Sequence, residues 1–180
     1  MMYDKLRLPL SEIQARLFEL SLEKGFASEQ FIDRYMRSKC ASEYDMEYNR
    51  LQWMGPEYIL EEFSDEHEKR YGIRPVKGEQ YSEDVMFWIG YVYRQWHFIT
   101  GESSKNISAQ APAAIMEKHY GGLHTYCNVE LAVDDLKTFA EQRRRKRRPR
   151  SGRQNLEIQT GVVYPGMPEY SKTVRQKKRE

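Results

Sequence analysis

The segment from Val85 to Ile99 (VMFWIGYVYRQWHFI) is apolar on nearly every side when wound as a helix, and this dictates the kind of fold the chain can adopt. A surface helix keeps a polar stripe for water; a helix without one must be enclosed by its neighbours. The chain therefore predicts a bundle in which other helices surround this segment. Its ends are marked locally. Ser82 is placed to cap the first turn, Glu83 and Asp84 sit where the helix dipole favours negative charge, and Gly101 stops the helix. Gly90 costs about 1 kcal/mol of helix propensity, which close contact with a neighbouring helix would offset. The run is shorter than the roughly 20 residues of a membrane span, and it contains Arg94 and His97, which points to a soluble, cytoplasmic protein.

The remaining punctuation is helical as well. Ser11-Glu12-Ile13-Gln14 has the pattern of a capping box, followed by Ile13, Leu17, Leu20 and Leu22 near one stripe until Gly25. Ser28 should cap a second helix with Phe31, Ile32, Tyr35 and Met36 inward. A third is expected from about Ser42 to Trp53, and Pro56 suits the start of a fourth that carries Tyr58, Ile59, Leu60 and Phe63 and ends near Gly72. Residues 73–81, with Pro75 and Gly78, read as a connector. Ser103 or Ser104 should cap a short helix to Ala111, Pro112 opens another through Tyr120, and Gly121-Gly122 should break it. Asn128 caps a last helix in which Leu131, Val133, Leu136 and Phe139 face inward, with Pro149 at its end.

No stretch before residue 150 alternates with the period of a strand, so an all-α body of about six or seven helices is expected. Leu156 to Tyr164 (LEIQTGVVY) could form a strand only against a partner. Aromatic residues make up 13% of the chain and argue against a disordered body. Trp53, Trp88 and Trp96 are expected in the core. Cys40 and Cys127 are the only cysteines, and Met1 to Leu10 has charges and no apolar signal region. Two reduced thiols are the expectation.

Charge divides the chain. Residues 143–180 hold 13 Lys or Arg and 3 Asp or Glu, a net of +10; residues 1–142 keep 16 basic and 24 acidic side chains, a net of −8. The division predicts an acidic helical domain over 1–142 and a flexible basic tail over 143–180. The tail's densest part offers Arg143, Arg144, Arg145, Lys146, Arg147, Arg148, Arg150 and Arg153 as nucleic-acid-binding residues, since clustered cations displace the counterions of phosphate backbones. An acidic protein surface, the chain's own body or no specific partner remain open readings, and a nuclear import signal would look similar.

Chemistry-bearing residues are sparse. Arg94, His97 and Glu102 form the densest polar group, with Arg94 and His97 three apart on one helix face. They could serve as an acid–base or anion site in a small enzyme acting on nucleotide or nucleic acid. They could equally be an internal ion pair, with Glu102 or an acid elsewhere satisfying the guanidinium. His119, His124 and Cys127 have a superficial metal spacing but lack a fourth ligand, so no metal is expected. Ser103 and Ser104 lie in no nucleophile motif, phosphate-loop and dinucleotide patterns are absent, and no cofactor is expected.

Phe87 to Lys105 (FWIGYVYRQWHFITGESSK), with Tyr120, Leu123-His124-Thr125 and Val133-Asp134-Asp135-Leu136, resembles a group of small bacterial proteins found in toxin–antitoxin-like gene clusters beside ADP-ribosyltransferase-like toxins. The resemblance covers roughly residues 83–136. It implies an antitoxin or companion protein that works by binding, its acidic helical face set against a basic surface such as a toxin's nucleotide cleft. The expected function is thus a partner-binding protein of antitoxin or regulatory type whose basic tail contacts nucleic acid.

Overall fold

The computed structural model describes residues 2–72 and 78–147. Among them are eight α-helices, one 3-10 turn and no strand. The helices are α1 (Met2–Glu23), α2 (Ser28–Met36), α3 (Lys39–Asp45), α4 (Pro56–Tyr71), α5 (Glu83–Thr100), α6 (Ser104–Gln110), α7 (Ala113–Leu123) and α8 (Val129–Arg147); the 3-10 turn, Arg50–Trp53, lies between α3 and α4. No described helix is long and apolar enough to cross a membrane.

The apolar segment becomes α5, and no side chain from Val85 to Thr100 is fully exposed. Ser82 Oγ accepts from the Val85 amide at 3.4 Å, and the opposite end closes at Gly101, whose φ of 72° suits glycine and whose N–H reaches the His97 carbonyl. Helix α1 lies along α5 as its most extensive partner, and α6, α7 and α8 pack on other parts of it. The α1–α5 contact is backbone to backbone at Gly90. A Cβ there would stand 2.7 Å from the Gln14 carbonyl oxygen and 2.8 Å from Ala15 Cα. Gln14 Nε2 donates to the Gly90 carbonyl at 3.0 Å, so the propensity lost at this glycine is offset by the close approach it permits.

Beside this pair, Phe18, Phe31, Tyr35 and Phe63 make a core of fully buried rings. Phe18 meets Phe31 edge-on at 5.4 Å and Tyr35 at 5.6 Å, while Phe31 meets Phe63 at 5.4 Å. Edge-to-face pairs of this kind contribute about 0.5–1.5 kcal/mol beyond the area they bury. Phe31, Ile32, Tyr35 and Met36 of α2 and Ile59, Leu60 and Phe63 of α4 are buried as their spacing predicts, as is Trp96.

Several local signals are overruled by tertiary contacts. Helix α1 begins at Met2, passes through Pro9 and runs past Ser11, so the capping box does not start it. Ser11 is fully buried; its hydroxyl donates to the Arg7 carbonyl at 2.8 Å and accepts from Gln95 at 3.1 Å. The first turns persist because Leu10 is buried and Arg7 Nε donates to Gln95 Oε1 at 2.6 Å, despite the hydrogen bond that Pro9 removes. Ser28 likewise is not a cap. It is the first residue of α2, and its Oγ accepts from the Tyr81 amide at 2.9 Å, tying the connector to the bundle.

The expected third helix is two pieces. Ser38 caps α3 by accepting from the Ala41 amide, Asn49 caps the 3-10 turn by accepting from the Leu51 amide, and between them Tyr48 adopts φ 61°. Gln52 draws the chain back by donating to the Tyr44 carbonyl at 3.0 Å and accepting from the Tyr48 amide at 3.2 Å. Gly121-Gly122 does not interrupt α7, which continues to Leu123. Three residues expected inside sit further out: Trp53 is 58% exposed, Leu131 56% exposed, and Trp88 is half-buried with its ring edge-on to Tyr120 at 5.6 Å. Helix α8 carries five residues beyond position 142, through Arg147, and residues 148–180 lie outside the described residues.

Candidate functional site

Four helices deliver the polar cluster around Arg94. Helix α5 places Arg94 and His97 one turn apart, α3 ends on Asp45, α1 contributes Gln14, and α6 opens on Ser104. Arg94 is 1% exposed. Its Nη1 donates to Asp45 Oδ1 at 2.8 Å, and Nε and Nη2 both donate to Gln14 Oε1, at 2.9 and 2.7 Å. The Tyr44 ring lies against the guanidinium, 4.4 Å from centroid to Cζ. Contacts of this kind add about 2 kcal/mol when desolvated. Asp45 is held from the other side by Ser104, whose amide donates to Oδ2 and hydroxyl to Oδ1, both at 2.7 Å. The guanidinium is thus satisfied in the plane of its fork and on its face.

His97 is tied in by backbone. Its Nδ1 is 2.8 Å from the Glu102 carbonyl oxygen, and because a carbonyl only accepts, the hydrogen sits on Nδ1. Burial, helped by the Arg94 charge, lowers the His97 pKa below its ordinary value; Asp45, 3.8 Å from Nδ1, and the Glu102 carbonyl pull the other way. The net lowering favours the neutral ring. The Glu102 carboxylate takes no part in this group. Its Oε1 accepts from Trp96 Nε1 at 3.3 Å and lies 3.8 Å from Lys137 Nζ, and Oε2 accepts from Gln110 Nε2. Of the three candidates, Arg94 and His97 converge, and the acid that meets them is Asp45.

Nothing in the sequence singled out Asp45. It sat inside an expected helix that the structure ends at that residue, and Gln14 looked like part of a helix cap. Ser103 accepts from the Asn106 amide as the cap of α6, which leaves Ser104 to bind Asp45. The histidines of the metal-like spacing go to separate partners: His119 stacks on Phe139 at 4.4 Å, and His124 stacks on Tyr120 at 4.4 Å. Among the described residues no group of three or more His, Cys, Asp or Glu is gathered to hold a metal ion. Cys40 is buried, and burial pushes its thiol pKa up to about 12, far from a reactive thiolate.

The basic residues divide by environment. Arg143 is half-buried and donates from Nη2 to the Gln110 carbonyl at 2.6 Å, closing the end of α6. Arg144, Arg145 and Lys146 are exposed on α8, with Arg145 3.8 Å from Glu141 one turn back. Arg147 is the last residue of α8, and Arg148, Arg150 and Arg153 lie outside the described residues.

Immediately after Asp45 the chain turns outward. Met46, Tyr48 and Trp53 are 55%, 62% and 58% exposed, three large apolar side chains within eight residues. The extended backbone at Met46 and the left-handed turn at Tyr48 set this course. Comparison of the chain with family models, curated proteins and solved structures found no match.

Proposed function

We propose that this chain is a partner-binding protein of the antitoxin or regulatory kind, whose acidic helical body engages a basic protein surface and whose basic C-terminal stretch contacts nucleic acid. The observation that carries the reading is the Met46–Trp53 segment. Met, Tyr and Trp are residue types enriched where proteins bind proteins: Tyr and Trp bury much area for little lost side-chain freedom, and Met adapts to the shape it meets. Here they stand out from a body of net charge −8 over residues 1–142, with Glu47 between Met46 and Tyr48. A partner with an apolar pocket rimmed by Lys or Arg matches that chemistry. Supporting this, the cluster that carries acid–base residue types spends its donors on internal bonds, with Arg94 1% exposed.

The test is affinity capture from the native host with the full chain and with a Tyr48→Ala/Trp53→Ala variant. A protein recovered by the wild type, released by raised salt and lost from the variant, supports the reading, provided both forms melt alike. Equal recovery by both forms sinks it.

A further inference from the structure

On the outer side of Asp45 the end of α2, the start of α3 and the start of α6 enclose a cavity of about 330 Å3. Arg37, Lys39 and Lys105 line it, together with Ser42 and Asp45. The three cations come from different places in the fold: Arg37 follows α2, Lys39 opens α3 and Lys105 belongs to α6. All three residues line this one cavity, on a body whose net charge over residues 1–142 is −8. The carboxylate in the wall does not oppose them fully, because Asp45 gives Oδ1 to Arg94 and to the Ser104 hydroxyl, and Oδ2 to the Ser104 amide. Asp33, one turn before Arg37, and Glu43, 3.2 Å from Lys39 Nζ, offset part of the charge. Lys39 is exposed in this pair and Glu43 half-buried, and pairs at the surface contribute about 1 kcal/mol, so Lys39 can turn to a stronger anion.

We propose that this cavity binds a phosphate monoester carried by a soluble small molecule. A carboxylate is planar and is matched by one guanidinium fork; a phosphate is tetrahedral and takes donors from several directions. Three cations from separate elements, with Ser42 in the same lining, suit the second shape. A monoester also carries about −1.5 to −2 charge at pH 7, enough to engage more than one cation. The volume stands at the low end of small-molecule sites, which run from about 300 to 1,000 Å3. Bound there, the phosphate would bridge α2, α3 and α6 over the carboxylate that anchors Arg94. This inference is independent of the partner-binding reading.

The experiment follows backbone amide resonances of the full chain at constant ionic strength. Inorganic phosphate and a nucleoside 5′-monophosphate are titrated separately, with chloride as the control anion. Saturable shifts at Lys39, Ser42, Ser104 and Lys105 are expected with both phosphates and not with chloride. Arg37→Gln/Lys105→Gln should weaken binding about tenfold or more, since each removes a charge-assisted contact. Arg144→Gln/Lys146→Gln, on the exposed end of α8, should leave those shifts in place. Binding should weaken from pH 7.5 to pH 5 as the monoester dianion takes up a proton near pH 6 and becomes a monoanion. Shifts that fail to saturate, that chloride reproduces, or that survive the Arg37/Lys105 variant would overturn the proposal. A response to phosphatidic acid vesicles without one to the soluble phosphates would overturn it too.

Discussion

Asp45 and Met46 are adjacent in the chain and belong to opposite environments. Asp45 ends α3 facing inward and closes a network that joins α1, α3, α5 and α6. Met46 begins a segment whose largest side chains are more than half exposed. Both regions are rich in polar and aromatic residues, so composition alone would not tell them apart. What separates them is burial: Arg94 is 1% exposed, whereas Met46, Tyr48 and Trp53 are each more than half exposed. The inner region is costly to disturb because a charge taken out of water must stay paired. The exposed side chains of the outer region are cheaper to alter, since they remain in water.

The largest expected effect comes from breaking the inner pair. Arg94→Ala leaves Asp45 without its cation and Gln14 Oε1 without its donors, a loss of about 3–5 kcal/mol of stability by denaturant melt. Trp53→Ala, by contrast, should stay within about 0.5 kcal/mol of wild type, as exposed substitutions do. Comparable losses for the two variants would erase the distinction between the regions.

Gly90→Ala probes the inner region without touching a charge. Its methyl would meet backbone atoms of Gln14 and Ala15 below 3 Å, so α1 and α5 must separate. A loss of about 1–3 kcal/mol is expected, typical of overpacking. A stabilised variant, the usual outcome for Gly→Ala in an uncrowded helix, would mean that the helices do not touch at this point.

Acid should also weaken the inner region. The His97 pKa is lowered in the folded protein, so the unfolded chain binds more protons below about pH 6.5, the ordinary histidine value. Its contribution is fully present above that pH and is lost as the pH falls toward the folded value. His67, lowered by burial and Arg34, and His119, lowered by burial, Lys118 and Arg143, act with the same sign. Glu19 and Asp33, both raised chiefly by burial, act in the opposite sense lower down, where carboxylates titrate. Melting temperature should therefore decline from pH 7 to pH 5.5, and His97→Gln should make that decline shallower. A variant with the wild-type slope would remove His97 from the account.

The smallest effect sharpens the outer region. Tyr48 holds φ 61°, a conformation that costs a non-glycine residue roughly 1 kcal/mol. Tyr48→Gly and Tyr48→Ala lose the same side-chain contacts, so their difference isolates the backbone. Glycine should be the more stable by about that amount. Equal stabilities would show that the left-handed turn is not fixed in solution.

Signals confined to a few residues were legible wherever nothing distant competed for the same atoms. Ser82, Gly101, Pro56 and Asn128 mark helix ends as written, because a cap or a breaker acts on amides within one turn. The enclosure of α5 was legible for a similar reason: a helix without a polar face has one kind of environment open to it. The outcome at Ser11, Ser28 and Gly121-Gly122 was not, since Gln95, Tyr81 and the packing of α7 decide there what the local pattern leaves undecided.

The Arg94 site marks the same boundary more sharply. A guanidinium in an apolar helix announces that some acid must be near, and the sequence by itself determined that much. Among 27 Asp and Glu residues it could not say which. Glu102, eight positions away, is drawn off by Trp96 and Gln110, whereas Asp45, 49 positions away, arrives because α3 stops where α5 needs a charge. Pairing across that separation depends on how helices are laid side by side, and only the tertiary structure fixes that arrangement.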